Sequence, residues 1–173
     1  MPETLTLRPA TLNDMAAVET VLAASYPRLL KADYPASVLV TAIPLLSRAQ
    51  PQLLASGTYY VVEDEESAIV GAGGWTRRGP PNVSALSRGL GHIRHVVTDH
   101  RKTRRGVGRR LMSHIFAEAR LAGVTELECQ STLTARPFYA SCGFEEIRPI
   151  LVPLRPGIDF PAVLMRRRLD KVD

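Results

Sequence analysis

Between Ile93 and Met112 the chain reads Ile-Arg-His-Val-Val-Thr-Asp-His-Arg-Lys-Thr-Arg-Arg-Gly-Val-Gly-Arg-Arg-Leu-Met. This is a β-type run, a basic loop, and the start of a helix whose first turn carries Gly106 and Gly108. A helix start offers unpaired N–H groups and the positive end of the helix dipole, and glycines there let a polyanion approach the backbone. Arg104, Arg105, Arg109 and Arg110 add charge-assisted contacts at the same place. The chemistry implied is the binding of a phosphate or pyrophosphate. Two familiar Gly-rich alternatives fail on spacing. No G-x-x-x-x-G-K-[ST] string occurs, so a nucleotide P-loop is excluded. A G-x-G-x-x-G fingerprint needs a small residue where Leu111 stands, and here a basic loop parts the strand from the glycines, although Glu126 and Glu128 lie at a tolerable distance for a ribose acid.

The rest of the chain supplies elements that can hold this segment. Leu5 to Pro9 alternates and stops at proline, as a strand does. Thr11 to Asp14 reads as a capping-box variant, and Met15, Val18 and Leu22 follow at helical spacing. From Ser25 to Gly57 the helical pattern is interrupted by Pro27, Pro35, Pro44 and Pro51, which predicts one or two short helices with irregular joints. Thr58 to Val62 and Ala68 to Trp75 flank an acidic turn and form a hairpin, in which Gly73 and Gly74 mark a close approach of another backbone or a ligand. After a long loop from Thr76 to Gly91 come a strand at His92 to Thr98 and a helix at Val107 to Ala122, with Val107, Leu111, Ile115 and Ala119 on one face. Val124 to Cys129 is a strand and Arg136 to Ser141 a short helix ended by Gly143. Two closing strands lie near Glu146 to Val152 and Ala162 to Leu169.

Composition narrows the class. With 173 residues, 45% apolar and 23% charged, the chain suits one hydrophobic core, so residues 1–173 are expected to form a single domain. No apolar run is long enough to cross a bilayer and the first residues lack a signal-peptide pattern, so the expected location is cytoplasmic, with no membrane partner. Two cysteines, Cys129 and Cys142, point to buried thiols and to neither a disulfide framework nor a metal site. The net charge of +5 is concentrated in Arg101 to Arg110 and Arg166 to Arg168. It permits nucleic acid binding, but the first cluster equally suits a small polyanionic cofactor and the second the solvated end of a strand.

The segment Thr103-Arg-Arg-Gly-Val-Gly108 resembles the [QR]-x-x-G-x-[GA] motif of GNAT acetyltransferases, which follows their fourth strand; both glycines match, and Thr103 stands where the family has Gln or Arg. A second block, Ala135-Arg-Pro-Phe-Tyr-Ala-Ser-Cys-Gly-Phe144, resembles the family's later A-x-x-F-Y-x-x-x-G-F signature in order and spacing. The resemblance implies an α/β (α+β) fold: a mixed, mostly antiparallel, splayed sheet of about seven strands flanked by about four helices. It implies an N-acetyltransferase with acetyl-CoA as co-substrate. The backbone of Val96, Val97 and Thr98 would line the pantetheine arm, and Thr103, Arg104, Arg105, Gly106, Val107, Gly108, Arg109 and Arg110 would hold the pyrophosphate. Tyr139 falls at the position of the general acid that protonates the leaving thiolate, and a phenol stays protonated at neutral pH.

An alkylammonium acceptor must lose a proton before it attacks, and the candidate bases are His95, chosen first for its titration range, Glu128 and Asp99. The acceptor is a small-molecule or peptide amine; Tyr26, Tyr34, Tyr59, Tyr60 and Trp75 either line its pocket or pack in the core. A homodimer is entertained with no motif to carry it. The alternatives are a non-catalytic acyl-CoA-binding or sensing protein and, last, a nucleic-acid-binding module.

Overall fold

The computed structural model describes residues 3–82 and 86–170. In chain order they form β1 (Thr6–Pro9), a 3-10 turn (Leu12–Asp14), α1 (Met15–Leu30), α2 (Ala36–Leu46) and α3 (Pro51–Leu54). The hairpin β2 (Tyr59–Glu63) and β3 (Ile69–Thr76) follows, then β4 (Leu90–Thr98), α4 (Val107–Leu121), β5 (Glu126–Thr132), α5 (Arg136–Ser141), β6 (Glu145–Arg155) and β7 (Ile158–Arg168). The seven strands make one sheet in the order β1-β2-β3-β4-β5-β7-β6, antiparallel throughout except for the parallel pair β4 and β5. A parallel neighbour requires a crossover, and α4 supplies it. Within the predicted loop from Thr76 to Gly91, residues 83–85 lie outside the described residues.

The sheet is covered on both faces. On one, α4 lays Val107, Leu111, Met112, Ile115, Phe116 and Ala119 against Val62, Leu127 and Met165. On the other, Val18, Leu22 and Leu30 of α1 pack with Tyr59, Val61, Ala72 and Val97. Burying each such aliphatic side chain contributes about 1.5–3 kcal/mol, so each face holds its helices by packing and not by helix propensity.

The region from Ser25 to Gly57 holds the end of α1 and, within the expected one or two, two short helices, α2 and α3. Neither Pro27 nor Pro44 breaks its helix. A helical proline frees the carbonyl four residues earlier, here on Ala23 and Val40. Both prolines and both of those residues lie on the exposed side, where water can take the freed oxygens. The 3-10 turn is fixed by the expected capping box: the Thr11 N–H donates to Asp14 Oδ2 at 2.8 Å, and Arg8 grips the same carboxylate at 2.8 and 2.9 Å. At the far edge, β6 is a long strand containing Pro149 and Pro153.

Candidate active site

The opening in the sheet begins with a bulge in β4. Ala72 pairs with Val97 and Gly74 with Arg94, so His95 and Val96 together stand opposite Gly73. His95 takes φ +47°, in the left-handed region that side chains rarely adopt. A Cβ on Gly73 would come within 2.7 Å of Val96 Cγ2, so the close approach signalled by the paired glycines is that of the bulge itself. Two phenols hold this geometry: the Tyr59 hydroxyl donates to the His95 carbonyl at 2.8 Å and the Tyr26 hydroxyl to that of Val96 at 3.4 Å.

Pairing between β4 and β5 covers only Leu90 to His92 against Glu126 to Glu128. Beyond it β5 continues along β7 as far as Thr132, so Ile93 to Thr98 face a gap with no strand partner on that side. Tyr139 of α5 is buried in the α4-face core, its ring edge-on to Phe138 and Phe144. Burial, reinforced by Cys129, Tyr26 and Cys142, pushes the Tyr139 phenol well above its ordinary value, so it stays protonated at neutral pH.

The basic turn lies at the mouth of the gap. Asp99 caps the 3-10 turn His100–Lys102, accepting from the Arg101 backbone at 2.9 Å and from its guanidinium at 3.0 and 3.2 Å. Arg104 at φ +63° and Gly106 at φ +83° then swing the chain into α4. The first helical bond runs from Arg110 N–H to Gly106 O at 2.9 Å, which leaves the N–H groups of Val107, Gly108 and Arg109 ahead of the ladder. The two glycines have separate reasons. A Cβ on Gly106 would meet nothing within 4 Å, so that turn is open and its glycine serves the positive φ. A Cβ on Gly108 would lie 2.8 Å from the Phe138 ring, so that glycine admits α5 against α4.

The arginines divide likewise. Lys102 binds Glu3 at 2.9 Å, Arg105 lies 3.9 Å from the same carboxylate, and Arg101 is held by Asp99. Arg104, Arg109 and Arg110 are exposed and, among the described residues, have no ion pair. The second cluster is only in part the solvated strand end that was expected: Arg168 is exposed and pairs with Asp170 at 2.7 Å, whereas its two neighbours are tied into the fold. Arg166 pairs with Glu128 at 2.7 Å and Glu126 at 3.2 Å. Arg167 is buried, donates to Cys142 O at 2.6 Å and lies over the Phe116 ring. An open helix start with three guanidiniums that have no ion pair among the described residues fits a pyrophosphate; each arginine of β7 is already engaged by a carboxylate or carbonyl of this chain.

The candidate bases are not brought to one point. His95 is half-buried with Nε2 2.9 Å from the Leu46 carbonyl; since a carbonyl only accepts, Nε2 carries the hydrogen and Nδ1 the lone pair. Burial draws its pKa down, against the pull of that carbonyl, so it is neutral at pH 7. Glu128 is tied to Arg166, and Asp99 to the turn it caps. Of the aromatic residues considered for a pocket, Tyr26 and Tyr59 anchor β4, Tyr34 bridges Leu133 N–H and Pro161 O, Tyr60 stacks edge-on with His114, and Trp75 is core. Two residues escaped sequence reasoning: Arg94 at the gap and His92, the last residue of β4 paired with β5. Their alternation with Ile93 was the available signal, since it puts both on one face of the strand.

The sequence matches the profile of the Acetyltransferase (GNAT) domain over residues 36–160. The chain belongs to the GNAT acetyltransferase family. Acetyl-CoA is the co-substrate that goes with this membership. The GNAT fold is also seen in solved structures. A GCN5-related N-acetyltransferase from Rhodopseudomonas palustris superposes with a TM-score of 0.74 at 19% identity, covering 97% of this chain and 98% of that one. The PaiA N-acetyltransferase from Thermoplasma acidophilum, solved with coenzyme A, gives 0.70 at 12% identity over 95% and 99%. N-acetylglutamate synthase from Neisseria gonorrhoeae gives 0.65 at 16% identity, covering 99% of this GNAT chain but 36% of the other. A search of curated proteins returned no match. Among the described residues, no helix is long and apolar enough to cross a membrane.

Proposed function

We propose that this chain, acting as a single domain, transfers the acetyl group of acetyl-CoA to a primary amine of a small molecule or peptide. The observation that carries the reading is the junction of an opened sheet with an arginine-flanked, positive-φ helix start at its mouth. The cofactor supplies an acetyl group activated as a thioester. Gly106 to Arg109 would hold its pyrophosphate through backbone N–H groups, with Arg104, Arg109 and Arg110 on the outer oxygens. Thr103 and Arg105 would complete the turn, and Val107 seats it by burial in the core.

The backbone of Val96, Val97 and Thr98, on the stretch of β4 that β5 leaves unpaired, would line the gap, where a fixed N–H could stabilise negative charge on the acetyl oxygen as it develops. In the reaction a C–N bond forms and the C–S bond breaks. One proton leaves the ammonium and one reaches the thiolate. His95 Nδ1, neutral and beside the bulge, would take the first; the Tyr139 hydroxyl would give the second. Glu128 would act indirectly, by holding Arg166 at the point where β4 and β5 part.

Calorimetry with acetyl-CoA tests the site. The wild type should bind, and Gly106→Glu should weaken binding at least about 100-fold, or about 2.7 kcal/mol. Tyr139→Phe should bind normally and turn over about 100-fold more slowly on whichever amine is accepted. Folded wild type that fails to bind acetyl-CoA would sink the proposal, whereas normal turnover by Tyr139→Phe would leave a binding protein whose acid is another group.

A further inference from the structure

The acceptor side of the gap carries an unanswered charge. Arg94 is half-buried on β4, two residues before Val96, and its guanidinium reaches only neutral oxygens: Thr76 Oγ1 at 3.1 Å and Gln50 Oε1 at 3.5 Å. Among the described residues it meets no carboxylate. Arg8 and Arg166, also partly buried, each hold two carboxylates. A cation withdrawn from water with no counter-charge costs free energy, and proteins keep such a group where a ligand supplies the missing charge.

A second group at the same place lacks a partner. His92, on the same face of β4, is 2% exposed, and its Nε2 has no hydrogen-bond partner among the described residues. Moving back along β4 from the basic turn come Thr98 and Val97, the bulge at Val96 and His95, and then Arg94. With pyrophosphate at the turn and the acetyl group near Val96, the next position belongs to the amine.

We propose that the acceptor amine bears a carboxylate that the Arg94 guanidinium binds, so that the substrate is amino-acid-like and not the N-terminus or a lysine of a folded protein. This rests on the acetyl-transfer reading above. An arginine fork suits a carboxylate because two parallel N–H groups match its two oxygens. Neutral Thr76 and Gln50 hold the fork without cancelling its charge.

The test uses CoA-saturated protein and calorimetry with matched pairs: L-phenylalanine, L-methionine and L-glutamate against their α-amides, and phosphoethanolamine against ethanolamine. At least one amino acid should bind about tenfold or more tightly than its amide, the usual scale for a hydrogen-bonded charge. Arg94→Gln should abolish that difference without lowering Tm, and Arg94→Lys should restore part of it. A merely structural arginine would lower Tm on substitution and leave the preference untouched. Equal binding of acids and amides, no binding by any acid, or a preference that survives Arg94→Gln would each overturn the proposal. Discrimination confined to phosphoethanolamine would overturn the carboxylate in favour of a phosphate. Acetyl-CoA affinity measured on the same samples reports separately on the reading beneath it.

Discussion

The two faces of the sheet are equally well packed but differently specified. On the α4 face, the backbone at Gly106, the open start of α4 and the Gly108 to Phe138 contact each demand a particular residue at a particular place. On the α1 face, three helices of apolar residues cover the strands, and what matters to the site reaches it through two phenol hydroxyls on the bulge. Local chemistry writes the cofactor half; tertiary packing writes the acceptor half. A superfamily can keep the first and vary the second.

Substitutions can break or sharpen this contrast. Equal packing predicts that Leu22→Ala and Leu111→Ala, both in fully buried side chains, each lose about 2–5 kcal/mol in urea unfolding; a large inequality would mean one face dominates folding. Gly108→Val should destabilise by about 1–3 kcal/mol through its clash with Phe138, with acetyl-CoA affinity falling less than in Gly106→Glu. The reverse order of affinities would give Gly108 the ligand role and Gly106 the structural one.

Tyr59→Phe leaves the His95 carbonyl without its donor and should cost about 1–2 kcal/mol, with loss of turnover as the bulge relaxes. The smallest effect is expected at Asp14→Asn, about 1 kcal/mol at neutral pH, since the Arg8 side chain is 42% exposed and solvent screens the pair. The hydrogen bond from Arg8, ahead of an opposing effect of burial and helped by Thr11, holds the Asp14 carboxyl below its ordinary range. Its stabilisation is therefore complete above the unfolded pKa and disappears as pH falls through the folded one. The gap between wild type and Asp14→Asn should close in acid unfolding curves below about pH 4.

The same contrast decides what could be read from the residues alone. Val107, Leu111, Ile115 and Ala119 announce α4 because a period of 3.6 survives without tertiary context, and Gly106 announces its turn because few residues tolerate that φ. The hairpin and α5 were legible for the same reason. The helices through Pro27 and Pro44 were not, because whether a freed carbonyl faces water depends on which side of the helix the core lies. Nor was the bulge. Its one-residue shift is enforced by Tyr26 and Tyr59, distant in sequence, and it alone turns His95 toward Leu46 while Arg94 stays beside Gly74. The division of the arginines depended on Glu3, Asp99 and Glu128, whose proximity only the fold creates.

The outer strands bear on solubility. A sheet with free margins can recruit further strands into fibrous aggregates, and β6, with Ile147 and Leu151 exposed, is long enough to do so. Pro149 and Pro153 each remove an amide donor there, while the opposite margin, β1, has four residues and ends in Pro9. Replacing both β6 prolines by valine should leave acetyl-CoA binding intact but raise light scattering on storage. The two rings would then be what keeps the working enzyme from seeding its own precipitation.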